Sequence, residues 1–307
     1  MSKISIVVSV YNEEGALPLF YKETKAVLDS MSTYSYEMLF VNDGSVDGSR
    51  AILDELSSTD SNVKVVHFSR NFGHEAAMIA GVDHASGDII ICMDADLQHP
   101  PTMIPKLAEK IAEGYDIIDI VRTRNRSAGI IKNITSSGFY AIINTMSDTK
   151  LEKNASDFFA FTKRVADVLR VDYREKVRFL RGYVQSLGFR RTHMEYEAAD
   201  RVAGSSKYSI KKLFRFSMET IMCFSNLPLK LGIYMGNIAG LMGLILLIYT
   251  LITRKGAPSG YATTIVFLCI MFAILFYMIG IIGQYIGILF AEIKGRPIYI
   301  VDETRNI

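Results

Sequence analysis

Apolar residues in the first two-thirds of the chain gather in short runs: "ISIVVSV", "EMLFVND", "VKVVHF" and "DIIICMD". Each is largely apolar, three of them rich in β-branched residues, and reads as a buried strand. Between them, "EGALPLFYKETKAVLDSM", "VDGSRAILDEL" and "GHEAAMIAGVDHA" space their apolar residues at helical intervals. Strand alternating with helix predicts an α/β domain over residues 1–208, with a mostly parallel sheet covered by helices on both faces. A polar cluster follows each strand: "YNEE", "NDGS", "SRNFG" and "DADLQ". Parallel strands bring such clusters to one edge, where open α/β sheets bind ligands.

The pattern changes after residue 208. Residues 209–228, "SIKKLFRFSMETIMCFSN" and the two that follow, place Ile210, Leu213, Phe214, Ile221 and Phe224 near one helical face. Lys211, Lys212 and Arg215 lie elsewhere, which suits a basic amphipathic helix at a membrane surface. Residues 231–252 carry no charge and, at about 1.5 Å per residue, span roughly the hydrocarbon core. Residues 262–291 are also uncharged. The expectation is two transmembrane helices within 229–292 and a tail, 293–307. Lys and Arg flank the pair on the outer sides, which favours a cytoplasmic catalytic domain and both termini in the cytoplasm.

Composition narrows the partners. Lys+Arg number 34 and Asp+Glu 32, so no excess of positive charge points to nucleic acid. Cys92, Cys223 and Cys269 lack metal or disulfide spacing and read as free, packed thiols. The three matches to the glycosylation sequon, at Asn125, Asn133 and Asn154, are chance matches if the domain is cytosolic. The apolar run Ile4–Val10 is too short for a signal peptide. Neither a P-loop nor a GxGxxG motif is present.

The candidate chemistry lies at the strand ends. Asp94 and Asp96 close an apolar run two residues apart, a hard-oxygen pair suited to Mg²⁺ or Mn²⁺ with a diphosphate. Glu13 and Asp43 offer acceptors for a base N–H or ribose hydroxyls; turn formation by Asp43 and helix capping by Asn12 read the same residues structurally. Arg122, Lys132, Arg201 and Lys207 offer cations for a phosphate monoester, Arg201 and Lys207 close to the presumed membrane surface.

Taken together, "VVSVYNEE", "FVNDGSVDGS", "SRNFGHEAAMIAG", "DADLQHPP", "SDFFAF", "RFLRGYVQSLGF", "RVAGSSKYS" and "RPIYIV" resemble the membrane-bound family 2 glycosyltransferases of GT-A fold. The resemblance is to the polyprenyl-phosphate branch: bactoprenol glucosyltransferases and dolichyl-phosphate mannose synthases. It implies transfer of a sugar, glucose favoured, from a nucleotide diphosphate donor, UDP-sugar favoured, to undecaprenyl phosphate with inversion. N-acetylglucosamine, galactose and mannose are the alternatives. It implies Tyr11, Asn12, Glu13, Asp43 and Asp94 at the nucleotide, Asp94 and Asp96 at the metal, and Arg122, Arg201 and Lys207 at the acceptor phosphate. Asp157 matches a residue assigned as base, and Asp157 and Asp96 are the expected catalytic pair. It also implies a homo-oligomer, a tetramer; a product formed on the inner leaflet, whose sugar head cannot readily cross hydrocarbon unaided, implies a separate flippase if the sugar is used outside. Departures are Ser156, Phe159 and Ala160 around Asp157, His74 in place of lysine and His99 in place of aspartate. Two other readings are a processive polysaccharide synthase, against which stands the absence of any Trp, and a non-catalytic membrane scaffold, against which stands the intact acidic pair.

Overall fold

The computed structural model of the chain describes residues 2–122, 152, 155–176, 178–196, 227–252 and 260–307. Two compact units emerge: Met1–Phe214 with Pro297–Ile307, and Arg215–Arg296.

The first unit is built on an eight-stranded sheet ordered β7-β5-β6-β4-β1-β2-β3-β8. Its strands are β1 (Lys3–Val10), β2 (Ser35–Asn42), β3 (Val63–Phe68), β4 (Ile89–Asp94), β5 (Ile117–Arg122), β6 (Ala155–Thr162), β7 (Arg191–Tyr196) and β8 (Val301–Arg305). The four expected strands are β1 to β4. They lie side by side and parallel, so their carboxyl ends share one edge. The strand β6 runs antiparallel between β4 and β5, and β7 is parallel to β5. The fold is therefore the expected mixed, mostly parallel α/β sheet.

Alternation along β1 explains the two layers. Ile4, Ile6, Val8 and Val10 join a core with Leu17, Phe20 and Leu28 of α1 (Leu17–Ser30), Leu53 of α2 (Ser49–Thr59) and Leu107 of α4 (Ile104–Ala112). Val7 points the other way, toward Gly81 of α3 (His74–His84), where any larger residue would collide with it. Such period-two sidedness is what a strand buried on both faces requires. The expected helices agree with α1, α2 and α3. One structural reading of Asn12 does not hold: α1 begins after Ala16, with no side-chain cap.

Opposite the carboxyl edge, Glu37 is buried and held by five groups. Lys3 Nζ lies 2.6 Å and Lys64 Nζ 2.9 Å from Oε2, and the Ser5 hydroxyl, Ser86 N–H and Ser86 hydroxyl all donate to the carboxylate. Burial opposes its ionisation, but these donors outweigh burial and pull its pKa down to about 2.

Residues 301–305, expected as part of a tail, form β8, which pairs antiparallel with β3. Arg50 bridges to Asp302 and Glu303, and Arg305 to Asp54, which ties the strand to α2.

The second unit contains α7 (Leu227–Ile252) and α8 (Tyr261–Ile293), close to the two expected apolar helices. Many of their described apolar side chains are exposed; Leu241, Phe276 and Tyr277 are each at least 60% so. By length and composition, one stretch among the described residues, Ile270–Ile293, suffices to cross a membrane; the apolar stretch of α7 is the shorter Gly232–Ile245. The amphipathic segment expected over 209–228 lies outside the described residues up to Asn226.

Candidate active site

The four strand ends assemble one polar edge. After β1, Tyr11 is partly exposed and Asn12 takes a left-handed backbone, φ 54°. The Asn12 amide oxygen accepts the Val46 N–H at 2.9 Å, and its own N–H donates to Ser45 Oγ at 3.0 Å. Glu13 donates its N–H to Ser49 Oγ at 2.9 Å. These bonds clasp the loop after β1 to the loop after β2, which orients Tyr11 and Glu13. Asn12 thus spends its side-chain oxygen on the scaffold.

Asp43, at the end of β2, is buried. Its Oδ1 accepts the Phe72 N–H at 2.6 Å and its Oδ2 the Gly73 N–H at 2.9 Å. Burial pushes its carboxyl above the usual range, against the pull of those two donors. Two glycines make the arrangement possible. Gly44 has φ +64°, and a Cβ there would lie 2.5 Å from the Arg70 carbonyl carbon; Gly73 has φ +99°.

Asp94 ends β4 and Asp96 follows it, with Leu97 in the left-handed region at φ 60° between them and α4. A non-glycine residue there is costly and is a mark of sites whose surroundings hold it in place. The Asp94 N–H donates to His99 Nδ1 at 3.0 Å. His99 is buried, stacks on Phe158 at 5.0 Å and has its pKa pushed down to about 3 by burial, so it is neutral. Its 3.8 Å approach to the Asp94 carboxylate is therefore not an ion pair. His99 in place of an acid closes the turn without adding negative charge. Asp96 is buried, and its Oδ1 accepts the Gln98 N–H at 3.1 Å.

Among the described residues no group of three or more His, Cys, Asp or Glu forms a metal site of its own. The oxygens of Asp94 and Asp96 nevertheless fit Mg²⁺ or Mn²⁺. Such ions take one or two carboxylates and fill the remaining positions with phosphate oxygens and water. Asp94, about one-third exposed, leaves room for both.

Asp157, near the start of β6, faces the same region. Its Oδ1 lies 3.1 Å from Arg181 Nη1, in α6 (Leu180–Ser186). Burial favours the neutral acid, but Arg181 first, with His74 and Arg122, outweighs it and lowers the Asp157 pKa. His74, Glu75, Met78, Asp157, Phe159, Leu180 and Arg181 line one small, tightly closed pocket here. Glu75 accepts the Leu180 N–H at 2.8 Å, and burial and Asp157 raise its pKa. His74 shares a 2.7 Å hydrogen bond with Ser9 Oγ and lies 3.9 Å from Asp94. Burial alone would lower its pKa; the surrounding carboxylates, Asp94 first, raise it. These carboxylates thus favour the protonated imidazole at the position where the family resemblance implies a lysine.

Arg122 ends β5, with Nε and Nη2 each 3.3 Å from the Tyr196 hydroxyl, which accepts. Lys132, Arg201 and Lys207 lie outside the described residues. The structure thus brings Tyr11, Asn12, Glu13, Asp43, Asp94, Asp96, Asp157 and Arg122 to the carboxyl ends of one sheet. Glu75 and Arg181 were not expected. Their only sequence signal is charge inside two motifs, "GHEAAM" and "RFLRGY", with no spacing that links either to Asp157.

A fold comparison finds the Staphylococcus aureus protein TarS, residues 1–349, in complex with UDP-GlcNAc. It aligns with a TM-score of 0.50 and 17% identity over 72% of this chain and 66% of that one, a likeness of fold. The glycosyltransferase YkcC of Bacillus subtilis is 39% identical, covering 99% of this chain and 94% of its own length. A prophage-derived bactoprenol glucosyl transferase of Shigella flexneri is 37% identical over 99% of both chains. The profile of Glycosyl transferase family 2 matches residues 5–169, from β1 through β6 and every described strand-end cluster above. With that match over more than half its length, the chain belongs to glycosyl transferase family 2 and is a hexosyltransferase of GT-A fold.

Proposed function

We propose that the chain transfers a hexose, glucose in first place, from a UDP-sugar to a polyprenyl phosphate such as undecaprenyl phosphate. The observation that carries this reading is the 37% identity, over 99% of both chains, to proteins named bactoprenol glucosyl transferase. An acceptor phosphate oxygen attacks C1 of the sugar opposite the diphosphate. The bond from C1 to the diphosphate oxygen breaks, the nucleoside diphosphate leaves with the electron pair, and the configuration inverts.

Asp43, Tyr11, Asn12 and Glu13 form the nucleotide side. Asp94 and Asp96 would hold a Mg²⁺ or Mn²⁺ ion, which would supply positive charge for the leaving diphosphate. Arg122, Lys132, Arg201 and Lys207 bind the acceptor phosphate. A phosphate monoester has a second pKa of about 6 and is largely ionised at neutral pH. Asp157 therefore orients the acceptor or the sugar; it has little proton to remove.

In this reading residues 1–208, completed by β8, form the cytoplasmic catalytic domain, 209–228 lie along the membrane surface, and 229–292 pass it twice. The chain assembles as a homo-oligomer, a tetramer by family resemblance. A separate flippase delivers the product if its sugar is used outside.

The test supplies membranes containing the chain with undecaprenyl phosphate and, in turn, labelled UDP-glucose, UDP-N-acetylglucosamine, UDP-galactose and GDP-mannose. Label should enter the lipid fraction fastest from UDP-glucose. Preference for another sugar corrects the donor, and no lipid labelling from any donor removes the reading.

A further inference from the structure

The motif "RPIYIV" has no part in the chemistry above, yet the residues it places before β8 touch two walls of the site. On one side, the Tyr299 ring stacks on Phe68 at 5.1 Å with 12° between planes. Phe68 in turn meets Phe72 edge-on at 5.7 Å. The Phe72 N–H is one of the two amides that hold the Asp43 carboxylate. The Ser69 N–H, in the same loop, donates to the Ile300 carbonyl at 3.1 Å.

On the other side, the Tyr299 hydroxyl donates to Asp83 Oδ2 at 2.8 Å. The same carboxylate takes the Arg174 guanidinium at 2.8 and 3.0 Å. The Arg178 guanidinium donates to the Ile298 carbonyl at 3.1 Å. Arg174 and Arg178 lie in the connection from α5 (Lys163–Asp172) to α6, and α6 carries Arg181.

A tyrosine near a sheet edge ordinarily fills space against one layer. Here the ring and the hydroxyl serve different walls, and the ring's contact leads in two steps to amides that fix a site carboxylate. We infer that Tyr299 is a positioning residue for the donor. The stack Tyr299–Phe68–Phe72 holds the loop whose amides at 72 and 73 fix Asp43, and so sets the nucleotide side of the site. This rests on the donor reading proposed above.

The test uses the full chain in detergent, with UDP and GDP as probes. Binding is followed by calorimetry, and loop order by amide hydrogen exchange. An aromatic pair contributes enough that its loss corresponds to roughly a three- to tenfold change in an equilibrium constant. Tyr299→Leu should weaken binding of the preferred diphosphate by that factor and speed exchange at Phe72 and Gly73. Protection of the Ser86 amide, held by Glu37 at the far edge, should not change. Tyr299→Phe keeps the stack and loses the hydroxyl; its affinity should stay within about twofold of the unsubstituted chain.

Unchanged affinity in Tyr299→Leu overturns the inference. So does loss of protection throughout the sheet, which would make Tyr299 a general packing residue. If the unsubstituted chain binds neither diphosphate, the donor reading itself falls and the inference with it.

Discussion

Arg181 Nη1 lies 3.1 Å from Asp157 Oδ1, and the residue before Arg181 gives its N–H to Glu75. One guanidinium therefore lines the same small pocket as two carboxylates of opposite tendency. Arg181 favours the ionised form of Asp157, while burial and Asp157 itself resist ionisation of Glu75. Paired acids whose surroundings push their pKa values apart take different protonation states at one pH.

Arg181→Met should lower kcat by roughly ten- to hundredfold, the order of effect expected when a reacting group loses its orientation. Its removal also raises the Asp157 pKa, because the cation that stabilised the carboxylate is gone. The acid limb of the pH–rate profile should then move to higher pH. A profile identical to that of the unsubstituted enzyme would show that Arg181 does not set the state of Asp157.

Asp96→Asn should abolish turnover without unfolding the protein, and so should a chelator acting on the unsubstituted enzyme. Added Mg²⁺ or Mn²⁺ should restore the chelated enzyme and not the variant. Full activity in excess chelator would remove the metal from the mechanism.

Glu37 gives a stability that depends on pH. Its folded-state pKa is about 2 and its ordinary value 4.5. The contribution is complete above the ordinary value and is lost as pH falls toward 2. At about 1.4 kcal/mol per pKa unit it amounts to about 3 kcal/mol. Denaturant midpoints measured between pH 6 and pH 3 should fall steeply for the unsubstituted chain and less steeply for Glu37→Gln. Parallel curves would refute this.

Topology is tested by single cysteines at Ser259 and Thr304 in a chain lacking Cys223 and Cys269. Thr304 lies in β8 with its residue exposed. In intact cells a membrane-impermeant reagent should label the cysteine at 259, and that at 304 only after permeabilisation. The reverse pattern would place the catalytic domain outside.

Much of the fold was legible because four strands are nearly continuous apolar runs, each ending in polar residues. Parallel pairing then makes the site edge almost obligatory, and Asp43, Asp94 and Asp96 could be read directly. Other parts carry weaker signals. In β7, "RTHMEY" is half-exposed and carries charge, and in β8, "VDETR" alternates partly buried with exposed residues. Neither has the apolar run that marks a central strand. The contact of Arg181 with Asp157 joins residues 24 apart, and that of Glu75 with Leu180 residues 105 apart. Only the folded sheet relates them. Family motifs located Asp157, but its ionisation depends on Arg181, His74 and Arg122, from three other segments.

The position of β8 in the chain has a consequence for biogenesis. The strand follows α7 and α8 in order of synthesis, yet it covers the open edge of β3. Until both apolar helices have left the ribosome, that edge displays unpaired backbone groups, a template for pairing with other chains. At about 5–20 residues per second, the wait from β7 to β8 is roughly 5–20 s. Completion of the catalytic sheet is thereby delayed until the apolar helices exist, and a nascent chain stalled before residue 301 would carry an exposed, aggregation-prone edge.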